Sequence, residues 1–140
     1  MRFLDTNVFL RYLVADLPRQ SPRATELFLA IERGEEQVQT SQVVVLETVF
    51  TLQKFYRLPL REVRDLLLPL IQFPGIRLAQ KAFLESAFDL AIAKNIDFRD
   101  AFNAVFMRSL GLNEIYSWDR HFDRVDGIQR IEPGSAEPPE

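Results

Sequence analysis

Phe3-Leu4-Asp5-Thr6-Asn7-Val8-Phe9-Leu10 passes from a short apolar strand into an amphipathic helix at a single residue, Asp5. In an open α/β sheet, ligand sites collect at the carboxyl ends of strands. An acid at that junction therefore has two readings. Asp is a favoured N-cap, so Asp5 can simply cap the helix Thr6–Val14 that stops before Pro18. It can equally be a site residue.

The alternation continues along the chain. Ser21-Pro22 is a helix start, with Ser as the N-cap and Pro at the first helical position, and Gly34 marks that helix's end. Gln37–Thr40 is a second strand. Ser41 can cap a helix running to about Tyr56, closed by Pro59. A helix over about Leu60–Gln72 carries Pro69 as a kink or early end. Pro74-Gly75 turns into a strand at Ile76–Leu78. Helices follow over about Gln80–Lys94 and Asp97–Ser109, the latter ending at Gly111. Glu114–Ser117 and Ile128–Ile131 close the series as strands. Strand–helix alternation implies a parallel sheet covered by helices on both faces, an α/β fold.

The 140 residues fit one domain. We expect it to span residues 1–131, with 132–140 (Glu132-Pro133-Gly134-Ser135-Ala136-Glu137-Pro138-Pro139-Glu140) a flexible tail unable to bury anything. A hydrophobic fraction of 47% supports a sizeable core, and twelve Phe against one Trp suggest packed aliphatic–aromatic layers. No stretch approaches the roughly 18 apolar residues of a membrane span. The acid at position 5 breaks a signal-peptide pattern. With no Cys there is neither a disulfide framework nor a Cys-based zinc site. A cytoplasmic protein is expected.

The net charge of −3 and pI of about 5.3 do not suggest a passive nucleic-acid binder. Of the 17 basic residues only Lys54, Lys81 and Lys94 are lysine. Arg suits bidentate phosphate contacts, although a coding bias explains the excess equally well.

Three further acids stand in informative places. Glu47 has Val44 and Val43 three and four residues behind it and Phe50 three ahead, an apolar helix face on which a carboxylate needs a cation, donors or a metal. The alternative is a core-edge Glu paired with an Arg. Asp100 lies three residues after Asp97, the natural N-cap of its helix. Asp119 follows Ile115-Tyr116-Ser117-Trp118 at a strand's carboxyl end, where it could also be a turn Asp. The lone His121 and neighbouring Asp123 read by default as surface residues. Clustered carboxylates repel and raise one another's pKa unless a cation intervenes. Hard oxygen ligands favour Mg²⁺ or Mn²⁺ over zinc, ions that bind phosphate oxygens and activate water.

Asp5-Thr6-Asn7-Val8-Phe9-Leu10, Glu47, Asp100-Ala101 and Ser117-Trp118-Asp119-Arg120-His121-Phe122 together resemble the PIN-domain family, in particular VapC-type toxins of toxin–antitoxin systems. The likeness runs to about Ile131. It implies a three-layer fold whose central parallel five-stranded sheet has the first strand in the middle. It implies a Mg²⁺- or Mn²⁺-dependent endoribonuclease, a homodimer, and neutralisation by a small antitoxin protein. By position, Asp5, a buried Glu47, Asp100 and Asp119 would be the catalytic and metal-binding acids, and Thr6, Asn7 and Ser117 the polar residues shaping their pocket. Members often carry an Asp at the position of His121, and Asp123 could partly substitute. Two other readings remain. A catalytically silent PIN-like module would bind only protein or RNA. A haloacid-dehalogenase-like phosphohydrolase would need an acid where Asn7 stands.

Overall fold

The structure, a computed structural model, describes residues 1–15 and 19–134. The helix stop expected before Pro18 and most of the expected tail, residues 135–140, lie outside them. The chain divides into two compact units, Met1–Lys81 and Ala82–Glu140.

The first unit runs β1 (Arg2–Phe3), α1 (Thr6–Val14), α2 (Gln20–Glu32), β2 (Val38–Gln39), α3 (Gln42–Lys54), α4 (Leu60–Ile71) and β3 (Ile76–Arg77). Its strands form a parallel sheet in the order β1-β2-β3, with Arg2 opposite Val38 and Val38 opposite Ile76. Two bonds carry the ladder past the strand ends: Leu4 N–H donates to Gln39 O at 2.8 Å, and the buried Thr40 hydroxyl donates to Leu4 O at 2.9 Å. Helix α1 packs on both α2 and α3. Phe9 and Phe28 are buried where α1 meets α2, with ring centroids 5.5 Å apart. Gly75 admits the chain into β3 past the end of α2. A Cβ there would lie 2.9 Å from both Glu36 O and Ile31 Cγ2.

The second unit holds α5 (Lys81–Lys94, whose first residue lies at the boundary), α6 (Phe98–Ser109), β4 (Glu114–Tyr116), a short 3₁₀ helix (Arg120–Arg124) and β5 (Gln129–Ile131). Strands β4 and β5 pair in parallel. The core sets Leu84, Phe88 and Ala91 of α5 with Phe98, Ala101 and Met107 of α6, and the Phe88 and Phe98 rings are 4.4 Å apart.

The α/β class and parallel pairing agree with the sequence reading. The single five-stranded sheet does not appear. Five strands divide into sheets of three and two, and β1 is at the edge of its sheet rather than the centre. Each strand is only two or three residues long, so each ladder is a few bonds and joins immediate neighbours only. Two helix boundaries also differ. Helix α2 begins at Gln20, so Ser21 lies buried inside its first turn instead of capping it. Helix α4 continues past Pro69 to Ile71. Burial of Leu67, Leu68, Leu70 and Ile71 offsets the roughly 3 kcal/mol that an interior Pro costs.

Candidate active site

In the first unit Asp5 occupies the N-cap position of α1 with extended backbone (φ −90°, ψ 162°), but its side chain accepts no capping hydrogen bond. Its carboxylate is exposed and has no hydrogen-bond or ion-pair partner among the described residues. Asp97 shows what a capping Asp looks like in this chain: its Oδ1 accepts from Arg99 N–H at 2.9 Å. The capping reading therefore fits Asp97 and not Asp5.

Ser41 starts α3 as expected, accepting from Val44 N–H at 3.2 Å. One face of α3 buries Val44, Val45, Thr48, Val49 and Leu52. Glu47 lies on the other face and is exposed, which corrects the expectation of a buried acid. Its apolar company is real but faces solvent: Val43 is 70% and Phe50 51% exposed. No Arg pairs with Glu47 among the described residues, so the core-edge ion pair is not its role. Thr6 is buried, and Asn7 is exposed on the wall of a cavity of about 270 Å³ between α1 and α2, with Val8, Arg11 and Arg23.

In the second unit the chain brings two expected acids together. Asp100, in the first turn of α6, and Asp119, at the end of the β4 segment, stand close enough for their carboxyl groups to hydrogen-bond when one is protonated. Burial pushes the Asp100 carboxyl up from the ordinary 3.8 to about 6, with the hydrogen bond and negative charge of Asp119 adding to the rise. Asp119 is held below its ordinary value, first by the hydrogen bond from the His121 backbone N–H. Below about pH 6 the pair thus holds one proton, on Asp100, while Asp119 is ionised.

The surroundings of Asp119 are built from its own segment. Ser117 is anchored at both backbone groups, its N–H donating to Ile131 O at 3.0 Å and its carbonyl accepting from Arg130 at 3.1 Å. Its hydroxyl accepts from Asp119 N–H at 2.9 Å, which fixes the turn. Asp119 Oδ1 then accepts from His121 N–H at 2.9 Å and lies 2.8 Å from His121 Nδ1. His121 is half-exposed, and both its backbone N–H and its ring Nδ1 lie against the Asp119 carboxylate. A His two residues after an acid at a helix start is the pattern that could have signalled this. Asp123 does not share the role, because both its oxygens accept from Arg130, at 3.0 and 3.4 Å.

Among the described residues, no three His, Asp or Glu side chains gather closely enough to hold a metal ion. What the chain supplies is one close carboxylate pair in its second unit and two unpartnered carboxylates, on the adjacent elements α1 and α3, in its first. The donors are all hard oxygens, and two of them are carboxylates set side by side whose repulsion a cation would relieve, so the residue chemistry fits Mg²⁺ or Mn²⁺.

The raised Asp100 pKa makes a stability prediction for metal-free protein. Between about pH 4 and 6 the folded state keeps a proton that the unfolded chain has lost, so this group's contribution to stability falls as pH rises through that window. The opposite shift of Asp119 acts below the window. Asp100→Asn should therefore melt close to wild type below pH 4 and above it by pH 7. A melting-temperature gap constant from pH 4 to 7 would contradict the pairing.

Two comparisons with known proteins bear on this geometry. A family model described as PIN domain matches residues 2–128. A protein named VapC ribonuclease, from Aquifex aeolicus (strain VF5), is 21% identical over 133 residues, covering 95% of this chain and 97% of the relative.

Proposed function

The chain belongs to the PIN domain family, and from that premise we propose that it is a Mg²⁺- or Mn²⁺-dependent endoribonuclease, the toxin of a toxin–antitoxin pair. The observation that carries the reading is the Asp100–Asp119 pair, two acids brought side by side from α6 and the segment after β4. The relative named VapC ribonuclease, alike over nearly the full length of both chains, supports RNA as the substrate.

Asp5, Glu47, Asp100 and Asp119 are the residues that would hold the cation. When bound, it neutralises charge on a phosphodiester and lowers the pKa of water. The chain's own contribution is positioning and proton control. Ser117 fixes the backbone on which Asp119 stands, and His121 holds the Asp119 carboxylate in its ionised form. In the metal-free chain Asp100 exchanges its proton near pH 6, so at neutral pH its carboxylate is ionised and ready for a cation.

The absence of a three-ligand grouping among the described residues favours, as second reading, a silent module that binds without cutting. Incubation with a mixed RNA pool separates the two. Fragments should appear with Mg²⁺ or Mn²⁺ and not with EDTA; an intact pool under every metal condition supports the silent module.

The partner proposal rests on surplus apolar surface. Val49, Leu52, Leu67 and Leu70 of α3 and α4 serve the core. Val43, Phe50 and Leu66, with Phe55 just beyond α3, remain 39–75% exposed. We assign this surface to a second copy of the chain or to an apolar helix of a small antitoxin. Light scattering of the isolated protein should give twice the 16.3 kDa chain mass. A strict monomer at all concentrations contradicts the homodimer. No helix among the described residues is long and apolar enough to cross a membrane. We propose the cytoplasm as the protein's location, in keeping with a chain that contains no Cys.

A further inference from the structure

The segment that delivers Asp119 to its partner also presents a second row of side chains. From Glu114 to Arg120 exposure alternates residue by residue: Ile115, Ser117 and Asp119 are half-buried, while Glu114, Tyr116, Trp118 and Arg120 are exposed. Over β4 this is the period of an extended chain; beyond it the chain turns at Ser117–Asp119 and enters the 3₁₀ helix at Arg120, so Trp118 and Arg120 follow Tyr116 closely in sequence without continuing the strand. The inner row makes the site already described. The outer row is costly as plain surface. Tyr116 is 75% and Trp118 68% exposed, and neither ring stacks on another aromatic among the described residues. Arg120, the next exposed residue, has no hydrogen bond or ion pair among the described residues. Arg130, on the neighbouring strand β5, is by contrast engaged with Asp123 and Glu132.

We propose that Tyr116, Trp118 and Arg120 form a binding strip for single-stranded RNA beside Asp119, the two rings stacking on unpaired bases and the guanidinium pairing with a phosphate. The proposal rests on the ribonuclease reading above and names how the substrate is held. Flat aromatic faces without an apolar pocket suit bases, which have π-faces of like size, and stacking is tolerant of sequence. The unpaired guanidinium marks the occupant as anionic, which an apolar peptide is not; a second copy of this acidic chain offers negative charge but no row of base-sized π-faces, and the protein-concentration arm of the test below separates it. Glu114 begins the row and would repel phosphate, so the strip starts at Tyr116. In a chain of net charge −3, such a local device would supply the substrate affinity that overall charge does not.

The test uses the fact that Trp118 is the only tryptophan in the chain. A fluorescein-labelled, unstructured RNA octamer is titrated in EDTA, so that binding is read by anisotropy apart from metal-dependent cleavage. Intrinsic emission is read in parallel with the unlabelled octamer. The expected result is quenching of tryptophan emission that saturates with the anisotropy. Trp118→Ala should weaken binding by about fivefold to a hundredfold, the range of one lost stacked base, with Trp118→Phe falling much closer to wild type. Arg120→Ala should lower the log–log salt slope by about 0.7, one phosphate contact on a single strand. Exposure of both side chains makes loss of folding an unlikely confounder, and circular dichroism of each variant checks it. The proposal is overturned if wild type does not bind the octamer, if emission is unchanged at saturation, or if Trp118→Ala binds as wild type. It is also overturned if emission shifts with protein concentration alone, which would make the strip a contact between copies. Failure of the ribonuclease reading looks different: stacking and binding persist in EDTA while no RNA is cut in Mn²⁺.

Discussion

Asp5→Asn, Glu47→Gln, Asp100→Asn and Asp119→Asn should each lower the rate of RNA cleavage by at least about a hundredfold, since even groups that merely support a metal ligand are worth 10–100-fold. Each change nearly preserves shape while removing the charge that a hard cation needs. Folding should survive. Asp5 and Glu47 are exposed and make no hydrogen bond or ion pair among the described residues. Removing charge from the Asp100–Asp119 pair relieves repulsion at neutral pH. Asp97→Asn is the internal control, because Asp97 caps α6 through Arg99 N–H and Asn caps about as well as Asp. Single-turnover rates on one defined RNA are the measurement. Full activity in Asp5→Asn or Asp100→Asn would remove that residue from the mechanism, and a large loss in Asp97→Asn would mean that the series reads folding rather than chemistry.

Divalent metal should also raise the melting temperature of the wild-type protein. A ligand that binds only the native state adds about 2.7 kcal/mol at a hundredfold excess over its dissociation constant. For a chain of 140 residues this corresponds to about 10 °C. The rise with millimolar Mn²⁺ should be largest near neutral pH, where Asp100 has lost its proton, and shrink toward pH 5, where the proton competes with the cation. Asp119→Asn should lose most of it. Scanning calorimetry over a metal titration at two pH values checks both statements. An unchanged melting curve across the titration counts against a metal centre built from these acids.

The features legible in the sequence are those decided within one turn of chain. Ser41 and Asp97 each cap the helix that follows, because a side-chain oxygen three or fewer residues from a free N–H needs no tertiary help. The family resemblance puts Asp100 and Asp119 in one site, but the burial that raises the Asp100 carboxyl and the approach of Asp119 to it are tertiary features that spacing cannot show. Glu47 was misjudged for a related reason. Helix α3 is apolar on both faces, so periodicity alone could not tell that Val44, Val45 and Leu52 go inward while Val43 and Phe50 stay in water. Pro69 illustrates tertiary override, where a local breaker yields to burial on both sides of it. Strand partners were the least legible feature, since runs as short as Arg2–Phe3 and Val38–Gln39 specify direction but not which edges join.

The central proposal is that Asp5 and Asp100 act in one catalytic centre, as the family resemblance implies, and a double-mutant cycle between them tests it most directly. Single-turnover cleavage rates are measured for wild type, Asp5→Asn, Asp100→Asn and the double variant, on one RNA at one Mn²⁺ concentration. Residues that act as a unit are strongly non-additive. The double variant should therefore lose no more than the worse single variant, within a few-fold. A double loss equal to the product of two substantial single losses would mean that the acids act independently, and the shared centre would be contradicted.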